Sequence, residues 1–316
     1  MAQLERWTRP ERSSWLQDRP HHHLKLPGGR NLHLGPRTLV VGIVNVTPDS
    51  FSDGGCYLDP QAAVQHGLHL QADGADLLDI GGESTRPGAS PVDAAEQVRR
   101  IEPVIGTLAG RLDIPISVDT SSPEVARAAL DAGASIINDV SMLRDGVGLA
   151  ALAARREAPL ILMHSRGRPA TMNRLTRYPQ GIIAGIQREL TAAVAQAVAA
   201  GLDPGEIILD PGIGFAKTAG QSLEILAGLP DLAHMGHGLM VGVSRKSFIG
   251  RILNRPVEQR RTGTVAAEAA ALAAGAHLLR THDVAACRQM ADLLDAIRRP
   301  RSGEPPHGAD TAGPLL

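Results

Sequence analysis

The sequence predicts an α/β chain folded as a (β/α)8 TIM barrel, and three observations predict it. First, one phrase recurs along the 316 residues: an Ala-rich helix, a glycine, then a short apolar strand ending in a polar residue. It is written as Ala72-Asp73-Gly74-Ala75-Asp76-Leu77-Leu78-Asp79, as Asp131-Ala132-Gly133-Ala134-Ser135-Ile136-Ile137-Asn138 and as Ala274-Gly275-Ala276-His277-Leu278-Leu279-Arg280. The glycine takes the left-handed cap that ends the helix, and the strand begins at once. Second, buried strands of this kind number eight, and eight strands alternating with helices over ~250 residues is the size of that barrel. Third, the signatures of an open doubly wound sheet are missing. No Gly-x-Gly-x-x-Gly follows the first strand, and Gly212-Ile213-Gly214-Phe215-Ala216-Lys217-Thr218 lacks the spacing of a nucleotide-binding lysine loop.

Taken in order, residues 1–20 are polar and Arg-rich with prolines, and read as a flexible arm. His23-Leu24-Lys25-Leu26 and Asn31-Leu32-His33-Leu34 alternate around Pro27-Gly28-Gly29-Arg30, the pattern of a β-hairpin. Three histidines, 21–23, follow one another there. On an extended chain they point to alternate faces, which favours a solvated strand edge over a metal tract. The eight strands are residues 40–44, the runs ending at Asp79, Asp119 and Asn138, Leu160-Ile161-Leu162-Met163, Ile207-Ile208-Leu209-Asp210, Leu239-Met240-Val241-Gly242-Val243, and the run ending at Arg280. Helices over 62–73, 94–108, 124–131 and 182–200 separate some of them. Residues 21–299 form a single domain, and the Pro- and Gly-rich tail 300–316 has too little to bury and is expected to be disordered.

Composition excludes several classes of function. The chain is 43% hydrophobic, enough for a large core, and its net charge of −1 gives no basic field for nucleic acid or an anionic membrane. Aromatic residues at 2% provide no stacking platform for single strands. The two cysteines, Cys56 and Cys287, cannot build a disulfide framework and fit a reducing compartment. No apolar run reaches the ~18 residues of a membrane span, and the N-terminus has no apolar signal region. A soluble, cytoplasmic protein is expected.

In a parallel barrel all strands deliver their last residues to one mouth. Around it the sequence places Asn45, Glu83 with Thr85 and Arg86, Asp119, Asn138, His164, Asp210, Lys246, and Arg280 with His282. Any one strand-end Asp or Asn also fits a helix cap, as Asp119 before Ser121-Ser122-Pro123 shows. Capping does not explain why a lysine and an arginine face the same basin. Carboxylates and an amide read the N–H edge of a flat nitrogen-rich heterocycle, while arginine covers a π-face or clamps a phosphate. A heteroaromatic ligand inside and an anion at the rim follow. After the first strand, Pro48 and Ser52-Asp53-Gly54-Gly55 dictate a long loop, and it carries Phe51, one of only three phenylalanines.

Two long motifs, Asn45-Val46-Thr47-Pro48-Asp49-Ser50-Phe51-Ser52-Asp53-Gly54-Gly55 and Gly81-Gly82-Glu83-Ser84-Thr85-Arg86-Pro87-Gly88, resemble the dihydropteroate synthase family of folate biosynthesis. Ser117-Val118-Asp119-Thr120, Ile137-Asn138-Asp139-Val140, Leu209-Asp210-Pro211-Gly212-Ile213-Gly214-Phe215, Ser244-Arg245-Lys246-Ser247 and Arg280-Thr281-His282-Asp283-Val284 continue the resemblance in order. It implies a reaction joining 6-hydroxymethyl-7,8-dihydropterin pyrophosphate to p-aminobenzoate, with 7,8-dihydropteroate and pyrophosphate as products. It also implies that the hairpin caps the barrel's closed end. By position, Asp119, Asn138, Met163, Asp210, Lys246 and Arg280 would hold the pterin. Asn45, Arg86, Arg280 and His282 would hold the pyrophosphate, with Asn45 on its Mg2+. Phe51, Thr85, Pro87, Phe215, Lys246 and Ser247 would shape the p-aminobenzoate site. Asn45, Asp119, Asp210, Lys246, Arg280 and His282 would carry the catalysis, and a homodimer through helices near 265–275 and 285–297 would form.

The implied chemistry needs no covalent nucleophile. The C–O bond to pyrophosphate breaks first, the ring delocalises the cation, and the aniline nitrogen adds. Loops bearing Gly54-Gly55 and Gly88 would exclude water. Cys56 has no basic partner in sequence and reads as incidental, and His164 reads as an orienting residue rather than a metal ligand. The chain departs from the family at Ser165, Arg166 and Arg168, at Ala216 where glycine is commoner, and at Thr281 where valine is usual. A non-catalytic pterin-binding paralogue would retain the deep pocket without the two long motifs, and a methyltransferase barrel acting on methylated folates would lack them too. A Schiff-base aldolase would want its lysine inside a strand, and Lys246 lies beyond one.

Overall fold

A computed structural model describes residues 16–47, 60–84 and 89–298. A hairpin of β1 (His22–Lys25) and β2 (Asn31–Leu34) precedes eight parallel strands. These are β3 (Leu39–Asn45), β4 (Leu77–Gly81), β5 (Ile116–Asp119), β6 (Ile136–Asp139), β7 (Leu160–Met163), β8 (Ile207–Asp210), β9 (Gly238–Gly242) and β10 (Leu278–Thr281). They close in chain order, with β10 bonded to β3, into the expected barrel. Between them run α1 (Pro60–Ala72), α2 (Ala94–Ala109), α3 (Pro123–Asp131), α4 (Gly148–Arg156), α5 (Ile182–Ala199), α6 (Ala219–Ala227), α7 (Leu229–Ala233), α8 (Ser247–Leu253) and α9 (Arg261–Ala273), with α10 (Val284–Arg298) last.

Strand alternation sorts the core into two layers. Outward residues such as Val40, Ile137, Leu162, Leu209, Val241 and Leu279 pack under the helices. Inward residues Leu39, Val41, Leu77, Ile136, Ile161, Ile208, Met240 and Leu278 form a second cluster with Leu24, Leu26, Leu32 and Leu34 of the hairpin. Because Leu39, Leu77, Ile136 and Leu278 are first residues of their strands, the hairpin caps the N-terminal, closed end of the barrel. Gly238 permits that seal: a Cβ there would lie 2.4 Å from Leu34 Cδ1. With period two, the next inward residues on β4, β6, β8 and β10 are polar, and they start the opposite face.

The arm differs from expectation over its last residues. Gln17 N–H donates to the Ala273 carbonyl (2.7 Å). The buried Arg19 pairs with Asp295 at 2.7 Å and donates to Thr38 Oγ1 at 2.6 Å. Asp295 also accepts from the Thr38 amide. An arginine assigned from sequence to a flexible arm is therefore a staple between that arm, the residue before β3 and α10; residues 1–15 and 299–316 lie outside the described residues. The three histidines do face alternate sides. His22 packs edge-on against His277 and His23 meets His33 across the hairpin, its Nδ1 2.6 Å from that of His33.

Removing one member of a buried pair strands the other charge, which costs about 3–5 kcal/mol. Asp295→Ala is therefore expected to lower thermal stability by several degrees, measured by calorimetric melting. An unchanged melting temperature would show that the staple is ornamental.

Candidate active site

The polar layer begins one step above the apolar plug. Asp79 follows Leu77 by two on β4, Asn138 follows Ile136 on β6, Met163 follows Ile161 on β7, Asp210 follows Ile208 on β8 and Arg280 follows Leu278 on β10. On β5, Ser117 and Asp119 face inward, since Ile116 and Val118 belong to the outer layer. Register sets them side by side: Asp119 is paired with Asn138 and Met163 with Asp210. Asn45 ends β3 beside Gly81. The structure thus brings Asp119, Asn138, Met163, Asp210 and Arg280 to one mouth, with Asn45 and His282 at the ends of its strands and Lys246 in the loop after β9.

Arg280 is the hub. Its Nε donates to Asp79 at 2.6 Å and its Nη2 to Asp119 at 2.7 Å. Asp79 also accepts from Ser117 Oγ at 2.6 Å and from Asn138 Nδ2 at 3.0 Å. Burial lowers the arginine's proton affinity, but Asp79 and Asp119 outweigh it and hold it above its usual value. Burial pushes the Asp119 carboxyl up to about 7; Arg280 opposes this, while Asp79, Glu83 and Asp139 add to it. Two acceptors, Asp119 Oδ1 and Asn138 Oδ1, are buried with no partner among the described residues. Desolvated acceptors without donors are costly, so they define where a ligand's N–H groups belong.

The next wall is built by the loop after β8. Asp210 Oδ1 accepts from Gly212 N–H at 2.7 Å, and burial raises its carboxyl. Only glycine fits at 212: its φ is +60° and a Cβ would sit 2.0 Å from the His164 carbonyl oxygen. Lys246 donates to the Ile213 carbonyl and lies 4.7 Å from the Phe215 ring centre. Burial lowers its ammonium to about 8 although Asp210 pulls the other way. Ala216 adopts φ 52°, a left-handed conformation that explains the commoner glycine there. Ser247 starts α8 beside a cavity of about 470 Å³ also lined by Asn173, Thr176, Lys217 and Arg251.

His164 is fully buried, its Nε2 3.1 Å from Glu189 and its Nδ1 3.0 Å from Lys217 Nζ, which suits the orienting role. Burial lowers it to about 4. The departure at Arg166 serves the same network, bonding Glu189 and lying 3.8 Å above Tyr178. Glu83 turns away, accepting from Val92 N–H at 3.0 Å and facing Gln97. Phe51, Cys56, Thr85, Arg86, Pro87 and the glycines of both long loops lie outside the described residues. Sequence reasoning missed Asp79. The signal was available: it ends the recurring phrase and stands two residues after an inward leucine.

Asp79 is testable by itself. Asp79→Ala leaves Arg280 Nε and Asn138 Nδ2 without their acceptor and is expected to cost about 3–5 kcal/mol of stability. Asp79→Asn should keep the fold but weaken binding of a pterin ligand at least tenfold in calorimetry. Undiminished affinity in the Asn variant would remove Asp79 from the site.

Comparison with known proteins completes the assignment. A model of the pterin binding enzyme family matches residues 41–282. The dihydropteroate synthase of Synechocystis sp. is 48% identical over 276 residues, 87% of this chain and 95% of that protein. The Xanthomonas albilineans dihydropteroate synthase solved with 4-aminobenzoic acid superposes with a TM-score of 0.82 at 44% identity, covering 88% of this chain and 99% of that one. A structure of the same bacterial enzyme in complex with 7,8-dihydropteroate gives 0.78 at 42% identity and the same coverage. Motif order, barrel topology and these likenesses agree: the chain belongs to the pterin-binding enzyme family, within its dihydropteroate synthases.

Proposed function

We propose that this chain condenses 6-hydroxymethyl-7,8-dihydropterin pyrophosphate with p-aminobenzoate, releasing pyrophosphate and forming 7,8-dihydropteroate. The observation that carries the reading is the pair of buried, unpartnered acceptors, Asp119 Oδ1 and Asn138 Oδ1, with the buried Asp210 at the end of β8 in the same mouth. Their spacing on adjacent strands suits the amino and ring N–H edge of a pterin, and the Xanthomonas relative holds such a ligand. Met163 lines the pocket, Lys246 closes its other edge, and Arg280 is placed over it by Asp79 and Asp119.

The reaction follows from the charges. Heterolysis of the C–O bond leaves a cation spread over the pterin ring, and the carboxylates of Asp119 and Asp210 stabilise it in a site with little water. Arg280 and His282 face the departing diphosphate from the end of β10, with Asn45 across from them on β3. The aniline nitrogen of p-aminobenzoate then adds to the exposed carbon. Phe215, Lys246 and Ser247 would form its pocket, and Arg251 in the adjoining cavity suits a carboxylate.

The donor set near Asn45 fits Mg2+ only as a partner of the diphosphate. No group of three or more His, Cys, Asp or Glu able to hold a metal occurs among the described residues. Mg2+ commonly takes one or two protein oxygens, with phosphate oxygens and water completing six. When bound, it would neutralise charge on the leaving group. A homodimer and a cytoplasmic location complete the proposal; no helix among the described residues is long and apolar enough to cross a membrane.

Coupled detection of pyrophosphate, omitting each substrate and then Mg2+, should show release only with all three present. Release without p-aminobenzoate would indicate hydrolysis instead. Asp210→Ala should abolish measurable pterin binding, whereas Ser247→Ala should chiefly raise the p-aminobenzoate KM. Asp119 acts as a carboxylate and titrates near about 7, while Lys246 acts as an ammonium and titrates near about 8. Activity should therefore rise as pH climbs through the first value and fall beyond the second, giving a narrow bell in kcat/KM for the pterin substrate. A flat profile between pH values bracketing both would contradict these assignments.

A further inference from the structure

A line of polar side chains runs from the loop after β7 to the loop after β8, and the reaction above does not use it. Arg166 heads the line, at one of the positions where this chain departs from its family. Its guanidinium grips Glu189 of α5 with two donors, Nε at 2.9 Å from Oε2 and Nη2 on Oε1. Its Nη1 donates to the Arg177 carbonyl at 2.8 Å, and its plane lies 3.8 Å above the Tyr178 ring. Glu189 Oε2 also meets His164 Nε2 at 3.1 Å, and His164 Nδ1 meets Lys217 Nζ at 3.0 Å. Lys217 then donates to the Phe215 carbonyl at 2.8 Å.

We propose that Arg166, Glu189, His164 and Lys217 are positioning residues that hold Phe215 in the wall of the p-aminobenzoate pocket, and so set the affinity for the arylamine but not for the pterin. The inference rests on the reading of Phe215 as part of that pocket. Donors and acceptors along the line close in one direction. A Glu189 carboxylate can only accept, so His164 carries its proton on Nε2 and leaves Nδ1 as an acceptor. Lys217 fills that acceptor and keeps a donor for the Phe215 carbonyl. Burial lowers the His164 imidazole to about 4, so the ring is neutral, as this pattern requires. Burial also opposes ionisation of Glu189, but Arg166 and His164 outweigh it and hold the carboxyl below its usual range. Only a guanidinium can do the share of Arg166, with a fork for both oxygens, a third nitrogen for a carbonyl and a flat face for the ring.

The far end of the line falls on a turn that needs holding. Ala216 adopts φ 52°, which a residue bearing a Cβ takes only when its surroundings enforce it. Within the turn, Phe215 N–H bonds the Gly212 carbonyl at 3.0 Å. The hydrogen bonds that reach the loop after β7 leave from the carbonyls of Phe215 and Ala216, the second accepting the Tyr178 hydroxyl at 3.3 Å. Arg166 thus acts on the turn by two routes, one through Glu189, His164 and Lys217, the other through the ring of Tyr178 beneath it. The pterin wall is fastened separately. His164 N–H donates to the Asp210 carbonyl at 2.8 Å, and Gly212 N–H donates to Asp210 Oδ1 at 2.7 Å. Neither bond uses a side chain of the line, so releasing Phe215 leaves Asp210 in place.

The test uses the full chain and three variants. Lys217→Met removes the last donor at similar length, Arg166→Lys keeps the charge and loses the fork, and Phe215→Ala removes the wall itself. In steady-state assays Lys217→Met should raise the p-aminobenzoate KM about tenfold and Arg166→Lys about threefold, with kcat at saturating p-aminobenzoate within about twofold of native. Calorimetric affinity for a pterin ligand should stay within about twofold of native in both. A network that serves only the stability of the fold would lower the melting temperature and leave that KM where it was. A native p-aminobenzoate KM in Lys217→Met, or equal losses of pterin and p-aminobenzoate affinity, would overturn the inference. If Lys217→Met does not fold, Arg166→Lys decides alone by the same readings. A raised KM in Phe215→Ala with a native one in Lys217→Met sinks the inference and spares the pocket. An unchanged KM in Phe215→Ala sinks the pocket reading and the inference with it. If the native protein releases no pyrophosphate, the proposed reaction and the inference fall together.

Discussion

The guanidinium of Arg280, bonded to Asp79 and Asp119 at once, is the interaction on which the mouth of this barrel depends. Three carboxylates, those of Asp79, Asp119 and Asp210, occupy one buried layer. Without a cation among them, their burial would be uncompensated. Arg280 is suited to the task because its fork donates along two directions from a rigid plane, which an ammonium cannot do. The same geometry spends one oxygen of Asp119 on the arginine and leaves the other facing inward. Stability and ligand recognition are therefore two uses of one carboxylate.

The two ends of the barrel divide labour by a change of residue type within single strands. At the closed end, leucines and isoleucines lock against the hairpin, and Gly238 lets Leu34 approach the wall. Two residues further along β4, β6, β8 and β10, the inward position turns polar. The apolar plug is then the floor of the pocket, dry and rigid, so the acids above it sit in a low-dielectric environment where their charges matter more. Arg19, Asp295 and the His277–Pro20 contact tie the outside of that floor to the chain's N-terminal segment.

The orienting role that the sequence suggests for His164 is carried by a network of buried and half-buried charges. His164, Lys217, Glu189 and Arg166 form a chain of contacts that fixes the loop after β8 against β7. Burial keeps His164 neutral and depresses the Lys217 ammonium. The lysine's donors are spent on His164 and on the Phe215 carbonyl, so its work is to hold Phe215 and the turn at Gly212 in place. Lys246, by contrast, stands beside Asp210 with Phe215 beneath it, which makes it the cation of that wall.

By itself the sequence determined the barrel, its hairpin, the closing order of its strands and most of the mouth. It could do so because helix ends, glycine caps and strand alternation are local and periodic, and a parallel barrel turns strand ends into neighbours without further information. The identities of Asp119, Asn138, Asp210 and Arg280 as site residues follow from that rule alone. Asp79 escaped because its role depends on which arginine reaches it from across the barrel, 201 residues away in the chain. The burial of Arg19 against Asp295 was likewise decided only in three dimensions. In each case the partner belongs to a different element, and no spacing along a single strand or helix encodes the distance between side chains of separate elements.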